Sequence, residues 1–239
     1  MGCAPGVALA VILLAGCADP DRDGLPSDFE EQIGTKPMVA DTDGDGFDDG
    51  AEYLSYFFPW DAADRPYAGD YPRLPLPEAI DDEGWAEGEV SLDWAWPDQF
   101  DETLRLHRFY GNVVLVVVGR DNCPACLDSA AAQQQAYAAR RDRGFVLFEV
   151  LMTTPNLPDG PDPMAWARES GITHPVLPDG DRELAASYLP DVEGSAIPDW
   201  TLLDRELRIV DWYVAGDVDW GRVDELLDAP LPVVDWPLP

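Results

Sequence analysis

The chain has 239 residues, 46% of them hydrophobic and 10% aromatic, so it is long and apolar enough to build a packed core. Its 47 acidic and 15 basic residues give a formal net charge of −32. A field of that sign repels phosphate backbones, which excludes nucleic acid as an expected partner. The acidic excess is concentrated in the N-terminal half, and that is where we look for the ligands of a cation.

The chain begins with an apolar run over residues 7–16 that is too short to cross a bilayer and ends in Leu14-Ala15-Gly16-Cys17. This ending resembles the lipobox of bacterial lipoproteins. The resemblance implies a signal peptide over residues 1–16, lipidation of Cys17 and a lipid-anchored place in the bacterial cell envelope. Because Ala18 rather than Asp follows the cysteine, it also implies sorting to the outer membrane. The alternative is a buried apolar helix with an incidental cysteine.

Two acidic loops follow in one register, repeating after 22 residues. Numbered from the first Asp of each loop, side chains with oxygen fall at positions 1, 3, 5, 9 and 12, and glycine falls at position 6. Calcium prefers hard oxygen ligands, a glycine at the sharp turn and a backbone carbonyl at position 7. The expected ligands are Asp19, Asp21, Asp23 and Glu30 in the first loop, and Asp41, Asp43, Asp45, Phe47 through its carbonyl, Asp49 and Glu52 in the second.

The first loop runs into a short predicted helix over residues 29–33 and the turn Gly34-Thr35-Lys36-Pro37. A 22-residue repeat is too short for two complete EF-hands. Residues 19–53 instead resemble the thrombospondin type 3 calcium repeats of bacterial surface proteins, which implies calcium as the bound ion. We expect no organic cofactor. A solvated acidic spacer is the alternative. A halophilic composition would also be rich in Asp, but it would not explain the repeat.

Composition divides the chain into five segments: signal peptide 1–16, acidic repeats 17–53, a Pro-rich acidic linker 54–87, a main domain 88–229 and a tail 230–239. Within the main domain, the apolar runs 113–118 and 145–152 predict buried strands, with a helix over residues 124–141 between them. Later residues predict short helices, a hairpin over 200–214 and a final helix from Trp220. The expected fold class is therefore α/β, a mixed sheet flanked by helices, preceded by a small calcium-loop module.

The residues that carry redox chemistry lie where the first strand meets the first helix, in Asn122-Cys123-Pro124-Ala125-Cys126. This spacing places Cys123 at a helix N-terminus, where backbone N–H groups stabilise a thiolate, and Cys126 on the same helical face. A zinc site would need more ligands than His107 and His174 can add, so it is disfavoured. A purely structural disulfide stays open as an alternative.

Residues 89–229 resemble the thioredoxin-fold TlpA/AhpC-TSA (redoxin) group. The resemblance rests on the leader from Asp98 to Asn112, the Cys-Pro-Ala-Cys motif, the segment from Thr173 to Leu177, and Ser195-Ala196-Ile197-Pro198 at the place of the cis-proline loop. It implies a thioredoxin-like fold, Cys123 as the attacking thiol, Cys126 as the resolving thiol, and Pro198 as the residue whose loop receives the substrate.

The sequence departs from this group at two positions. Asn122 stands where a tryptophan usually precedes the first cysteine, and Val117 replaces the buried acid of thioredoxins. Asp128 and Glu149 are candidates for moving the proton of Cys126. A peroxiredoxin is disfavoured, because its Pro-x-x-x-Thr-x-x-Cys signature is missing.

The sequence thus predicts an envelope-anchored thiol-disulfide oxidoreductase acting on protein thiols and disulfides, with a membrane redox partner. The alternative is a calcium-binding surface lipoprotein whose thioredoxin-like domain carries an inert disulfide.

Overall fold

The computed structural model describes residues 18–69, 71–77, 79–153, 162–189, 196–214 and 218–236. The predicted signal peptide and Cys17 lie outside these ranges. None of the described helices is both long enough and apolar enough to cross a membrane. The chain forms two compact units. The acidic unit runs up to Pro66 and includes Asp235 and Trp236, and the sheet unit is Tyr67–Val234, so the predicted linker 54–87 divides between them.

The acidic unit contains two short helices, α1 at Ser27–Ile33 and α2 at Asp49–Leu54. Each follows one acidic loop, as the repeat predicts. Glycines at position 6 of the two loops, Gly24 and Gly46, have φ angles of 101° and 104°, a backbone conformation that side chains with a Cβ rarely adopt. The acidic unit has a small apolar core formed by Leu25, Phe29 and Tyr53, with Ile33 and Trp236 packed against it.

The sheet unit begins with short strands and continues into the main sheet. Its elements are β1 Glu83–Gly84, β2 Val90–Ser91, β3 Ala95–Pro97, β4 Thr103–Arg105, a 3-10 helix Leu106–Phe109, β5 Val113–Arg120, α3 Pro124–Arg140, a 3-10 helix Arg141–Arg143, β6 Phe145–Met152, α4 Pro163–Ser170, β7 Val176–Asp179, α5 Glu183–Ala186, β8 Asp199–Leu203, β9 Ile209–Val214 and α6 Trp220–Asp228.

The main sheet has the strand order β7-β6-β5-β8-β9. β5, β6 and β7 run parallel, while β8 and β9 are antiparallel to their neighbours. β5 and β6 are rich in Val, Leu and Phe and are buried along almost their whole length, as expected for central strands covered on both faces. The α/β class and the mixed sheet flanked by helices are therefore confirmed.

Alternate residues of the central strands face two different cores. Val114, Val116 and Val118 face a core shared with α5 and with the 3-10 helix that precedes β5. Leu115 and Val117 face the opposite core, shared with α3 and α6. Residues of β6 alternate in the same way, which places its odd-numbered leucines, at 147 and 151, on the α3 face of the sheet.

Residues that precede β1 also pack on the sheet unit. Tyr71 is 5% exposed, lies in the larger core, and donates a hydrogen bond of 2.9 Å to Asp98. The Asp98 carboxylate in turn accepts backbone N–H groups from Phe100 and Glu102, which closes the turn between β3 and β4. The second half of the predicted linker is thus integral to the sheet unit.

Candidate active site and acidic loops

The Cys-Pro-Ala-Cys motif lies at the junction of β5 and α3, as the sequence predicts. Cys123 is the N-cap residue of α3, and Pro124 occupies the first helical position, where no intrahelical N–H bond is lost. The two cysteines form a disulfide with their Cα atoms 5.2 Å apart. The sulfur of Cys123 accepts a hydrogen bond of 3.2 Å from the backbone N–H of Cys126. After reduction, the same N–H and the helix dipole stabilise a thiolate on Cys123.

The two sulfurs differ in their access to solvent. Cys126 is 1% exposed and packs in a core with Ala130 of α3 and Trp166 of α4. Cys123 is half-buried and lies at the edge of that core. A partner disulfide can therefore reach Cys123 but not Cys126, which suits the roles of attacking and resolving thiol.

Pro198 lies beside this motif. The Ile197–Pro198 peptide bond is cis, and Ile197 packs against the same core as Cys123. The next residue, Asp199, begins β8 and pairs with Val118 of β5, the strand that leads to the cysteines. The structure therefore brings together the three residues that the sequence names as catalytic.

Glu149 of β6 is buried beneath α3. It pairs across the strands with Val117, so the acid lies one strand away from the position it occupies in thioredoxins. A methyl group added at Gly119 would lie 3.5 Å from the sulfur of Cys126 and 3.7 Å from Oε1 of Glu149. The carboxylate and the resolving sulfur thus adjoin the same small space beside a glycine. Asp128, the other candidate, is exposed.

The environment of Glu149 favours its protonated form. The side chain is 0% exposed, and neither carboxylate oxygen accepts a hydrogen bond of good geometry. Burial raises the pKa of Glu149 to about 7, and the indole N–H of Trp166, outside good hydrogen-bond geometry, offsets part of the rise. A carboxyl group with this pKa can take up or release a proton near neutral pH.

The two histidines have structural surroundings. His174 is fully buried against the ring of Tyr137, and burial lowers its pKa to about 4. His107 lies within 2.8 Å of the carbonyl of Ser91. Among the described residues, no group of side chains suited to hold a metal includes a cysteine or a histidine.

The carboxylates of the first acidic loop form two groups that share Asp23. Asp19, Asp21 and Asp23 have ligand atoms within 4.8 Å of one another, and Asp23 is within the same distance of Glu30. Both oxygens of Asp21 and of Glu30 are buried without a hydrogen bond. Burial, followed by the charges of Asp21 and Asp23, raises the pKa of Glu30 to about 7.

The second loop repeats this arrangement. Asp41, Asp43 and Asp45 lie within 4.8 Å of one another, and the backbone N–H of Phe47 donates to Asp45. Glu52 is fully buried without a hydrogen bond, and burial followed by the charges of Asp45 and Asp43 raises its pKa to about 8.

Asp49, which the sequence assigns to the second loop, also approaches carboxylates of the first. Its ligand atom is within 4.8 Å of those of Asp23 and Glu30, in the first loop. Thr42, which the sequence pattern does not single out, holds this carboxylate: its backbone N–H and its hydroxyl both donate to Asp49 at 2.7 Å. Thr42 stands at position 2 of the loop, which the calcium pattern leaves unspecified.

Comparison with known proteins agrees with this geometry. Residues 88–211 match the AhpC/TSA family. The chain belongs to the AhpC/TSA family. None of the curated proteins compared with it is a significant match.

Several solved structures similar to this AhpC/TSA protein are named as thioredoxin proteins. One is the thioredoxin domain of a thiol-disulfide oxidoreductase from Bacteroides vulgatus, with 21% identity, a TM-score of 0.50, and coverage of 61% of this chain and 100% of that chain. A thiol:disulfide interchange protein of the thioredoxin family from Chlorobium tepidum TLS has 18% identity, a TM-score of 0.50, and coverage of 59% and 98%. An uncharacterized conserved protein from Geobacillus kaustophilus has 18% identity, a TM-score of 0.52, and coverage of 63% and 87%. The predicted thioredoxin-like fold is confirmed.

Proposed function

We propose that the protein is a thiol-disulfide oxidoreductase that exchanges disulfides with protein thiols of the cell envelope through Cys123 and Cys126. The observation that carries this proposal is the buried Glu149 beside the sulfur of Cys126. A structural disulfide needs no acid beside it, and a buried carboxyl group without a well-formed hydrogen bond lowers stability. Catalysis gives the acid a use, because a buried resolving thiol must lose its proton before it can attack.

In the reducing direction, the Cys123 thiolate attacks one sulfur of the substrate disulfide. A mixed disulfide forms, and the other substrate sulfur leaves as a thiolate. Glu149 then accepts the proton of Cys126, whose thiolate attacks the Cys123 sulfur and breaks the mixed disulfide. The second substrate thiolate leaves and is protonated, with Glu149 returning its proton to solvent. Two electrons pass from the dithiol to the substrate disulfide, and oxidation of a substrate dithiol follows the same steps in reverse.

Covalent trapping tests this proposal. Removing only the resolving thiol stops the reaction at the mixed disulfide, so Cys126→Ser should accumulate adducts with envelope proteins that a reductant releases. Cys123→Ser is the matched control and should accumulate few, because the remaining sulfur is buried. The proposal fails if Cys126→Ser traps nothing and the purified protein neither reduces nor oxidises a model disulfide. A reduction potential below about −300 mV would then assign the pair to a structural bridge in a binding lipoprotein.

We also propose that the acidic loops bind calcium. What supports this is the chemistry of the donors: three aspartates in each loop lie within the span of one coordination sphere, and buried oxygens of several carboxylates accept no hydrogen bond. Isothermal titration calorimetry of the full-length protein should detect calcium binding at millimolar concentration or below, and much weaker binding of magnesium. Asp45→Ala should remove more binding than Asp23→Ala, because the first loop has Pro20 and Arg22 where small polar residues are usual. Absence of heat when millimolar calcium is added would refute the proposal.

Anchoring is a separate proposal, supported by the residues 14–17 and by the apolar run before them. We place the protein on the outer membrane through acyl chains on Cys17, with a membrane partner that exchanges electrons with the dithiol. Expressed in a Gram-negative host, the protein should fractionate with membranes, because two or three acyl chains give stable attachment. Cys17→Ala should release it. Equal membrane association of Cys17→Ala, or a mature protein that retains Met1, would contradict this anchor.

A further inference from the structure

The two acidic loops contact each other through the beginning of α2. A methyl group added at Gly50 would lie 2.1 Å from the carbonyl oxygen of Asp23, a distance that no side chain could accept without a shift of the backbone. Gly50 is buried and directly follows Asp49. The glycine therefore allows the second loop to approach the first closely enough for a carboxylate of one to reach the ligands of the other.

Asp49 is the carboxylate that makes this approach. Its oxygen lies within 4.8 Å of oxygens from Asp23 and Glu30, and the three residues form a group distinct from Asp41, Asp43 and Asp45. Calcium binds oxygens at about 2.3 to 2.6 Å, so two ligands of one ion lie within about 5 Å of each other. Asp49 meets this condition toward Asp23 and Glu30 of the first loop.

Glu30 provides an independent indication that a cation belongs at this point. The side chain is 0% exposed, and neither of its oxygens accepts a hydrogen bond. Buried charges of one sign without a partner are unfavourable, and a cation held between Glu30, Asp23 and Asp49 would compensate for them. The side chain of Asp49 is itself buried and is oriented by its two hydrogen bonds from Thr42.

We propose that Asp49 is a ligand of the calcium ion of the first loop, so that the first site is composite and depends on the folded second loop. This inference rests on the proposed calcium binding. It assigns the first site, whose own loop is the poorer match to the calcium pattern, an additional carboxylate from outside that loop. Thr42 is then a positioning residue, which holds the shared carboxylate without contacting the ion.

Titration of full-length variants with calcium tests the assignment. Glu52→Gln disables the second site and leaves the first to be measured, while Glu30→Gln does the reverse. In the Glu52→Gln background, Asp49→Asn should weaken calcium binding by about 10-fold or more, since changes in a ligand shell cost this much. In the Glu30→Gln background, the same change should alter binding by less than about 2-fold. Asp48→Asn is the matched control, since Asp48 is exposed and its loss removes the same charge from the neighbouring position.

Two further variants address geometry rather than charge. Gly50→Ala should weaken the first site by separating the loops, with hydrogen exchange in β6 of the sheet unit unchanged. Thr42→Val should also weaken calcium binding at the first site. Thr42→Ser should bind calcium there as the wild type does, because serine keeps the hydroxyl that donates to Asp49.

The outcomes separate the inference from the calcium proposal on which it rests. If the wild-type protein binds no calcium, the calcium proposal fails. If it binds two ions and Asp49→Asn weakens only the second site, Asp49 belongs to its own loop and the inference is wrong. Equal weakening of both sites, or the same effect from Asp48→Asn, would also overturn it, because a general loss of negative charge would then account for the result.

Discussion

The acidic loops and the surroundings of Cys126 both contain buried carboxylates that accept no hydrogen bond of good geometry, but they differ in what can balance the charge. In the loops, several carboxylates converge within the span of one coordination sphere. Beside Cys126, Glu149 stands among apolar side chains and a sulfur. Converging anions call for a metal cation, whereas a lone buried carboxyl group takes a proton. The same chemical group therefore predicts sensitivity to calcium in one region and to pH in the other.

Calcium removal should give the largest effect, and it should be confined to the acidic unit. Each site saturated at 100 times its dissociation constant adds about 2.7 kcal/mol to the free energy of unfolding, so two ions add about 5 kcal/mol. Hydrogen exchange measured by mass spectrometry should accelerate in α1 and α2 when a chelator is added. Peptides from β6 serve as the internal control, and their exchange rates should not change. Equal acceleration in β6 would remove the distinction between the two regions.

Glu149→Gln should stabilise the protein at pH 8 and have little effect near pH 4.5. An unfolded Glu titrates near pH 4.3, whereas the pKa of Glu149 in the folded protein is about 7. Between these values the folded state binds the additional proton, so its stability is full at low pH and is lost as the pH rises to about 7. The gap between the two pKa values corresponds to a loss of about 3 to 4 kcal/mol of folding stability at pH 8.

Denaturant unfolding at both pH values, in saturating calcium, measures this effect. Asp128→Asn is the control, because Asp128 is exposed and its loss removes a charge from the same part of the unit. A gain for Glu149→Gln that is the same at pH 4.5 and pH 8 would show that the acid does not titrate there.

The exchange rate should fall when Glu149 is replaced or screened from Cys126. Glu149→Gln should slow resolution of the mixed disulfide by about 100-fold, as expected for the loss of a general base. Gly119→Ala inserts a methyl group at ordinary contact distance from both groups, so the fold should tolerate it while proton transfer slows by about 10-fold. Stopped-flow kinetics with a model disulfide measures both. If Gly119→Ala is as fast as wild type and equally stable, the proton takes another route.

Much of the fold could be predicted because the relevant signals are local. The apolar runs that form β5 and β6 are long and rich in β-branched residues, and α3 begins at a proline next to a cysteine. The loop glycines are also local signals, since each turn requires a positive φ at position 6. These elements agree with the structure to within a few residues.

The parts that sequence could not predict depend on how distant segments meet. Glu149 and Asp128 are equal candidates in the sequence, and only the pairing of Glu149 with Val117 places one acid under α3 and leaves the other exposed. Asp49 fits position 9 of its own loop, and only the close approach at Gly50 directs it to Asp23. The spacing of residues along the sequence cannot reveal which of two neighbouring loops a side chain faces.

The smallest expected effect tests how finely the pKa of Glu149 is set. Trp166→Phe removes the indole N–H that lowers this pKa, so the pKa should rise further and the loss of stability with increasing pH should grow. Because the hydrogen-bond geometry is poor, we expect a change below about 1 kcal/mol. The cavity left by the smaller ring also costs stability, but it does so equally at every pH.

The difference in unfolding free energy between pH 5 and pH 9 isolates the electrostatic part. That difference should be larger in Trp166→Phe than in wild type, and the tryptophan should have no effect on it once Glu149→Gln is also present. If the double variant retains the same pH dependence as Trp166→Phe alone, another group is titrating, and the lone-carboxyl account of the Cys126 region would have to be abandoned.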